Sequence, residues 1–167
     1  MPFGGGASIF VTKQAIQSTF QQHAWQAHLV VDQGYVTRVG DETVKAQLRR
    51  LNYRLCKRLL HRRFAEFPLE DRIHCAIFFQ GMRDAGTRHA HVIMRVPASV
   101  PVDTPFRRMK LKTAIQTAWL QVRDRDAPLF LWARLIDGSA DSKSVATYVS
   151  RELTPTLWER EDLWFSQ

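Results

Sequence analysis

The stretch from Ile73 to Pro97 constrains the fold more than any other. Ile73 to Met82, IHCAIFFQGM, has the apolar and aromatic content of a strand, and Arg83-Asp84-Ala85-Gly86-Thr87 is a polar turn. Arg83 to Pro97, RDAGTRHAHVIMRVP, then carries a second alternating run rich in Val, Ile and Met. Two such runs around a short polar turn predict an antiparallel hairpin in the middle of the chain. Successive strand side chains point to opposite faces, so His89 and His91 share one face while Ala90 and Val92 take the other. Two imidazoles on one strand face, about 7 Å apart along it, can converge on a single metal ion.

The segments on either side are longer and mostly helical. Trp25 to Val31, WQAHLVV, suits a first strand, ended by Asp32-Gln33-Gly34. From Gly40 or Asp41 onward, Val44, Leu48, Leu51, Leu55 and Leu59 form one apolar stripe at helical spacing. Beyond the hairpin, Pro97 to Pro105 reads as a loop, and Met109 to Val122 as a helix with Leu111, Ile115, Ala118, Trp119 and Val122 inward. Leu129 to Ile136, LFLWARLI, is a fourth strand, and Ser142 to Leu153 a third helix with Asp141 or Ser142 as N-cap. Residues 1–8, with Gly4-Gly5-Gly6, are expected to be a flexible lead-in. Ile9 to Trp25 reads either as a short helix or as an ordered loop. Residues 154–167, with Trp158 and Trp164, read as a further short helix or a tail docked on the core.

The order strand, helix, strand, strand, helix, strand, helix belongs to the α+β class. It predicts a split βαβ, ferredoxin-like arrangement: a mostly antiparallel sheet of about four or five strands, with helices packed mainly on one face. One domain is expected to span residues 1–167.

Charge narrows the function classes. With 24 Lys and Arg against 16 Asp and Glu, the net charge is +8 and the pI about 10.1, which points first to a polyanionic partner such as nucleic acid. The first helix concentrates cations, among them Arg49, Arg50, Arg54, Lys57 and Arg58. A charge run is ordinarily just a solvated face. So many like charges on one helix repel, however, and a phosphate backbone would relieve that, so these five are candidate DNA contacts. Cys56 and Cys75 are too few for a disulfide framework or a cysteine zinc site and fit a reduced, cytoplasmic protein. No run approaches the 18 or more apolar residues of a membrane span, and the N-terminus lacks the pattern of a cleavable signal.

Three further residues join the histidine pair. Across the turn, Gln80 falls roughly opposite His89 and His91 on the face it shares with His74 and Phe78. Its amide oxygen is a candidate third ligand, with His28, Asp32 and His74 as rivals. Two histidines plus an oxygen suit Mn²⁺ or Mg²⁺. Tyr148, in SVATYVSREL, sits on the helix after the last strand, and Arg151 projects from the same helix side.

His89-Ala90-His91 followed at a distance by Tyr148-Val149-Ser150-Arg151 resembles the HUH endonuclease superfamily in its single-tyrosine, rolling-circle replication initiator form. The likeness spans about residues 25–153 and rests on these two motifs and the element order. Arg151 stands where that family commonly has Lys, and its third ligand is often Glu or His. The resemblance implies nicking and joining of single-stranded or hairpin DNA by Tyr148, with a divalent ion at His89 and His91 and a 5′-phosphotyrosine intermediate. Arg151 would then add positive charge near the phosphate. The chain has no G-x-x-x-x-G-K motif, so any helicase would be a separate protein. The alternative is a non-catalytic RNA- or DNA-binding domain on the same sheet, which calls for exposed stacking aromatics such as Phe78 or Trp132. A water-using metal hydrolase is disfavoured by the lack of hairpin carboxylates.

Overall fold

Alternation and helical stripes place the elements close to where these patterns predict. The computed structural model describes residues 18, 20–33, 39–60, 63–81, 88–123, 129–150 and 165–166. Strands β1 (Ala27–Asp32), β2 (His74–Gln80), β3 (His89–Arg95), β4 (Phe130–Leu135) and β5 (Phe165–Ser166) form one sheet in the order β4-β1-β3-β2-β5. Every pairing is antiparallel. Among the described residues the long helices are α1 (Asp41–Leu59), α2 (Pro105–Val122) and α3 (Gly138–Val149). The four main strands and the α1 and α2 crossovers make a ferredoxin-like α+β fold, with β2 and β3 as the central hairpin.

Two faces of different chemistry follow from the register. Ala27, Leu29 and Val31 of β1, Cys75, Ile77 and Phe79 of β2, and Ala90, Val92 and Met94 of β3 point one way into a single core. The apolar stripe of α1, Val44, Leu48, Leu51 and Leu55, covers this face together with Leu111, Ile115, Ala118 and Trp119 of α2. The opposite face carries three rows running across β4, β1, β3 and β2. They are Phe130–Asp32–His89–Gln80, Trp132–Val30–His91–Phe78 and Arg134–His28–Ile93–Ala76. Here α3 packs mainly over the β2 and β3 side, where Val145, Ala146 and Val149 pack with Phe20, Ala76, Phe78 and Ile93, and its first turn reaches β4 through Asp141 and Arg134. α1 and α2 therefore share one face, and α3 lies on the histidine face.

The differences from expectation lie at element ends. α2 begins at Pro105, four residues before Met109, because Thr104 caps it by accepting from the Arg107 amide and proline suits the first helical turn. α3 begins at Gly138, whose φ of +78° is one that glycine adopts freely, with Asp137 rather than Asp141 or Ser142 as N-cap. Residues 64–66 and 69–71 form short 3₁₀ turns. At the other end of the chain, Phe165–Ser166 adds a two-residue strand to β2, where a short helix or a docked tail was expected. Gly4-Gly5-Gly6, most of the Ile9 to Trp25 segment and Trp158 lie outside the described residues.

Candidate active site

The middle of the histidine face gathers three imidazoles. His91 Nδ1 lies 2.9 Å from His28 Nε2, and His91 Nε2 lies 3.0 Å from His89 Nε2. His28 and His91 are nearly parallel, with ring centroids 5.1 Å apart, while His89 meets His91 edge-on at 4.7 Å. Tyr148 of α3 joins from above: its ring is edge-on to His91 at 87°, with centroids 5.3 Å apart, and it remains 43% exposed. The sheet thus fixes the histidines, and the docking of Val145, Ala146 and Val149 fixes the helix side that carries Tyr148.

Electrostatics assign the ring roles. Burial, helped by the nearby Arg134 guanidinium and opposed by Asp141, lowers the His28 pKa from its ordinary value to about 4. His28 is therefore neutral near pH 7 and offers one donor and one acceptor nitrogen. If His91 Nε2 is to present a lone pair to an ion, His91 Nδ1 must carry its proton and donate it to His28 Nε2. His28 then supports His91 as an outer partner that sets its tautomer.

Gln80 lies directly across from His89 on β2, buried under the end of α3. Its Nε2 donates to the Val149 carbonyl at 2.9 Å, and this fixes the amide's orientation. Its Oε1 is buried with no hydrogen-bond partner among the described residues. A carbonyl oxygen left in that state costs about 1–3 kcal/mol unless something else satisfies it. Among the described residues, no three His, Cys, Asp or Glu side chains are grouped to hold an ion by themselves.

The 3.0 Å between the two Nε2 atoms is the length of an N–H···N hydrogen bond. His89, His91 and the Gln80 oxygen, which stands in register with His89 across the hairpin, are the residues that could hold a divalent ion such as Mn²⁺ or Mg²⁺. Asp32, opposite His89 on β1, adds a neighbouring carboxylate. His74 is displaced about 14 Å along β2 from the row of His91 and takes no part.

No protein-family model, curated protein or solved structure matches this chain. The reading of the site accordingly rests on its own residues.

Other candidates fall elsewhere. Arg50, Arg54, Lys57 and Arg58 are exposed and Arg49 half-exposed on α1, but α1 packs on the face opposite the histidines. The structure does not bring these cations to the imidazole cluster. Lys57 and Arg58 also sit in the last turn of α1, where positive charge complements the helix dipole. Arg151 lies outside the described residues. Phe78 is buried edge-on against Phe20 at 5.1 Å, so only Trp132 of the two proposed stacking aromatics is exposed. Phe130 is exposed on the same face and was not singled out from sequence. Its period-two spacing from Trp132 was the available signal.

Proposed function

We propose that the protein nicks and rejoins single-stranded or hairpin DNA, with Tyr148 as nucleophile and a divalent ion, Mn²⁺ or Mg²⁺, bound by His89, His91 and Gln80. The observation that carries this reading is the meeting of Tyr148 with the His28–His91–His89 chain on one face. A bound divalent ion would polarise a phosphate oxygen and offset charge developing at phosphorus.

Within this reading, His89 and His91 orient on the phosphate side of the site, and His28 holds the His91 tautomer by accepting its Nδ1 proton. The Tyr148 oxygen forms a bond to phosphorus as the phosphorus–O3′ bond breaks. The phenol proton passes to solvent and the departing O3′ takes one up, leaving a 3′ hydroxyl and a 5′ phosphate on Tyr148. Rejoining is the reverse, because the bond energy is retained in the phosphotyrosine. Tyr148 is partly exposed, which suits a nucleophile that must reach a backbone from outside. Arg151 enters by sequence position alone, as added positive charge near the phosphate. Initiation of rolling-circle replication of a mobile element is the role that the motif resemblance suggests, and a cytoplasmic site of action goes with it. Among the described residues no helix is long and apolar enough to cross a membrane.

Labelled single-stranded DNA incubated with the protein and Mn²⁺ should yield a denaturant-resistant protein–DNA adduct. Tyr148→Phe should abolish it, and His91→Ala should abolish it while DNA binding persists. An adduct that survives Tyr148→Phe, or none across varied sequences and hairpins, sinks the assignment.

A further inference from the structure

We propose that Phe130 and Trp132 form a stacking platform for two consecutive unpaired bases of a single-stranded nucleic acid, beside Tyr148. Both lie on the histidine face of β4, an edge strand of the described sheet, and they are 76% and 54% exposed. The exposure does not reflect a lack of core: Phe20, Trp25, Phe64, Phe78, Phe79 and Trp119 are all buried. Two large aromatics adjacent on one sheet face and open to solvent call for a ligand.

The geometry selects the ligand. Same-face residues on a strand are about 6.8 Å apart, twice the ~3.4 Å rise per nucleotide of a stacked strand. Bases splayed by that amount can each meet a ring, whereas the bases of a duplex cannot. Arg134 is the next same-face residue, its side chain 42% exposed and its guanidinium shared with Asp141 at 3.0 Å. Aromatic, aromatic, arginine along one strand matches base, base and backbone charge. With Arg134 paired to Asp141 and Asp32 exposed beside the strip, a single strand would be held here mainly by stacking on the two rings.

The platform is also continuous with the candidate site. Trp132 meets His28 edge-on at 6.0 Å, His28 meets His91, and His91 meets Tyr148. Between β4 and the body of α3 the face is floored by half-buried Val30 and exposed Asp32, because α3 packs mainly over β2 and β3. The placement of the scissile phosphate beyond the stacked bases rests on the nicking reading; the stacking itself needs only an unpaired strand.

The test measures binding without cleavage. In a Tyr148→Phe background, fluorescence anisotropy of a labelled oligothymidylate of about ten nucleotides reports affinity. Trp132→Ala and Phe130→Ala should each weaken it about five- to a hundred-fold, Trp132→Phe should restore most of the loss, and a duplex of equal length should be little affected. The inference is overturned if the Ala variants bind as the parent does, or if single strand and duplex weaken alike. It is equally overturned if Trp132→Ala splits a DNA-independent dimer and leaves affinity unchanged. Ring-dependent binding without any adduct from the wild-type protein would refute nicking and leave the platform standing; an adduct with ring-independent binding would do the opposite.

Discussion

His28 is where a single residue controls the chemistry of the site. Its pKa, lowered to about 4, means that the unfolded chain binds a proton on this ring between about pH 6.5 and 4 while the folded chain does not. Stability from the neutral ring is therefore full above about pH 6.5 and is lost as the pH falls toward 4. The loss amounts to about 3 kcal/mol at most. In chelator-treated protein, thermal unfolding followed by circular dichroism should show a fall in Tm over that window that is shallower in His28→Gln. A second consequence concerns the ion. His28→Ala removes the acceptor for His91 Nδ1 and should weaken Mn²⁺ binding about 10- to 100-fold by calorimetry, whereas His28→Gln, which can still accept, should lose less. Equal affinity in His28→Ala would show that the His91 tautomer is set by something else.

At the scale of elements, α3 decides whether there is a site at all. It is tied to the sheet by packing of Val145, Ala146 and Val149, by Gln80 donating to the Val149 carbonyl, and by Ser142. The Ser142 hydroxyl accepts from the Trp25 amide at 2.9 Å and donates to the His23 carbonyl at 3.1 Å. Gln80→Leu removes one hydrogen bond and one buried orphan oxygen, terms that are each about 1 kcal/mol or somewhat more and of opposite sign. The variant should melt within a few degrees of the parent and bind Mn²⁺ much more weakly. A large fall in Tm would mean that the oxygen is already satisfied in the folded chain. Much of this arrangement was legible in the sequence. The His-x-His alternation fixed which residues share a face, and the hairpin placed Gln80 opposite His89. The side taken by α1 was legible in principle: Leu29, Val31, Ala90 and Val92 form an apolar face that its leucine stripe matches, whereas the other face carries His28, His89 and His91. Phe130 was missed although its period-two spacing from Trp132 puts the two rings on one face.

For the molecule as a whole, the sheet separates two candidate binding regions that a linear reading merges. The imidazoles, Tyr148 and the aromatic strip occupy one face, and the exposed cations of α1 the other. A short oligonucleotide seated on the histidine face has no route to Arg50, Arg54 or Lys57. A longer strand, or duplex flanking a hairpin, can pass around the sheet edge and reach them. Length and salt should therefore separate the two regions. Each phosphate contact adds about 0.7 to the steepness of log affinity against log salt for single strands and about 0.9 for duplex. Reversing charge with Arg50→Glu, Arg54→Glu and Lys57→Glu together should leave adduct formation on an oligonucleotide of about ten nucleotides unchanged. The same triple variant should flatten the salt slope for a hairpin with a long duplex stem by about one contact for each residue that touches phosphate. A triple variant whose slope matches the parent on every substrate would make the basic face of α1 a solvated surface and nothing more. Loss of adduct on the short substrate would instead mean that the strand crosses the sheet by a path this packing does not suggest.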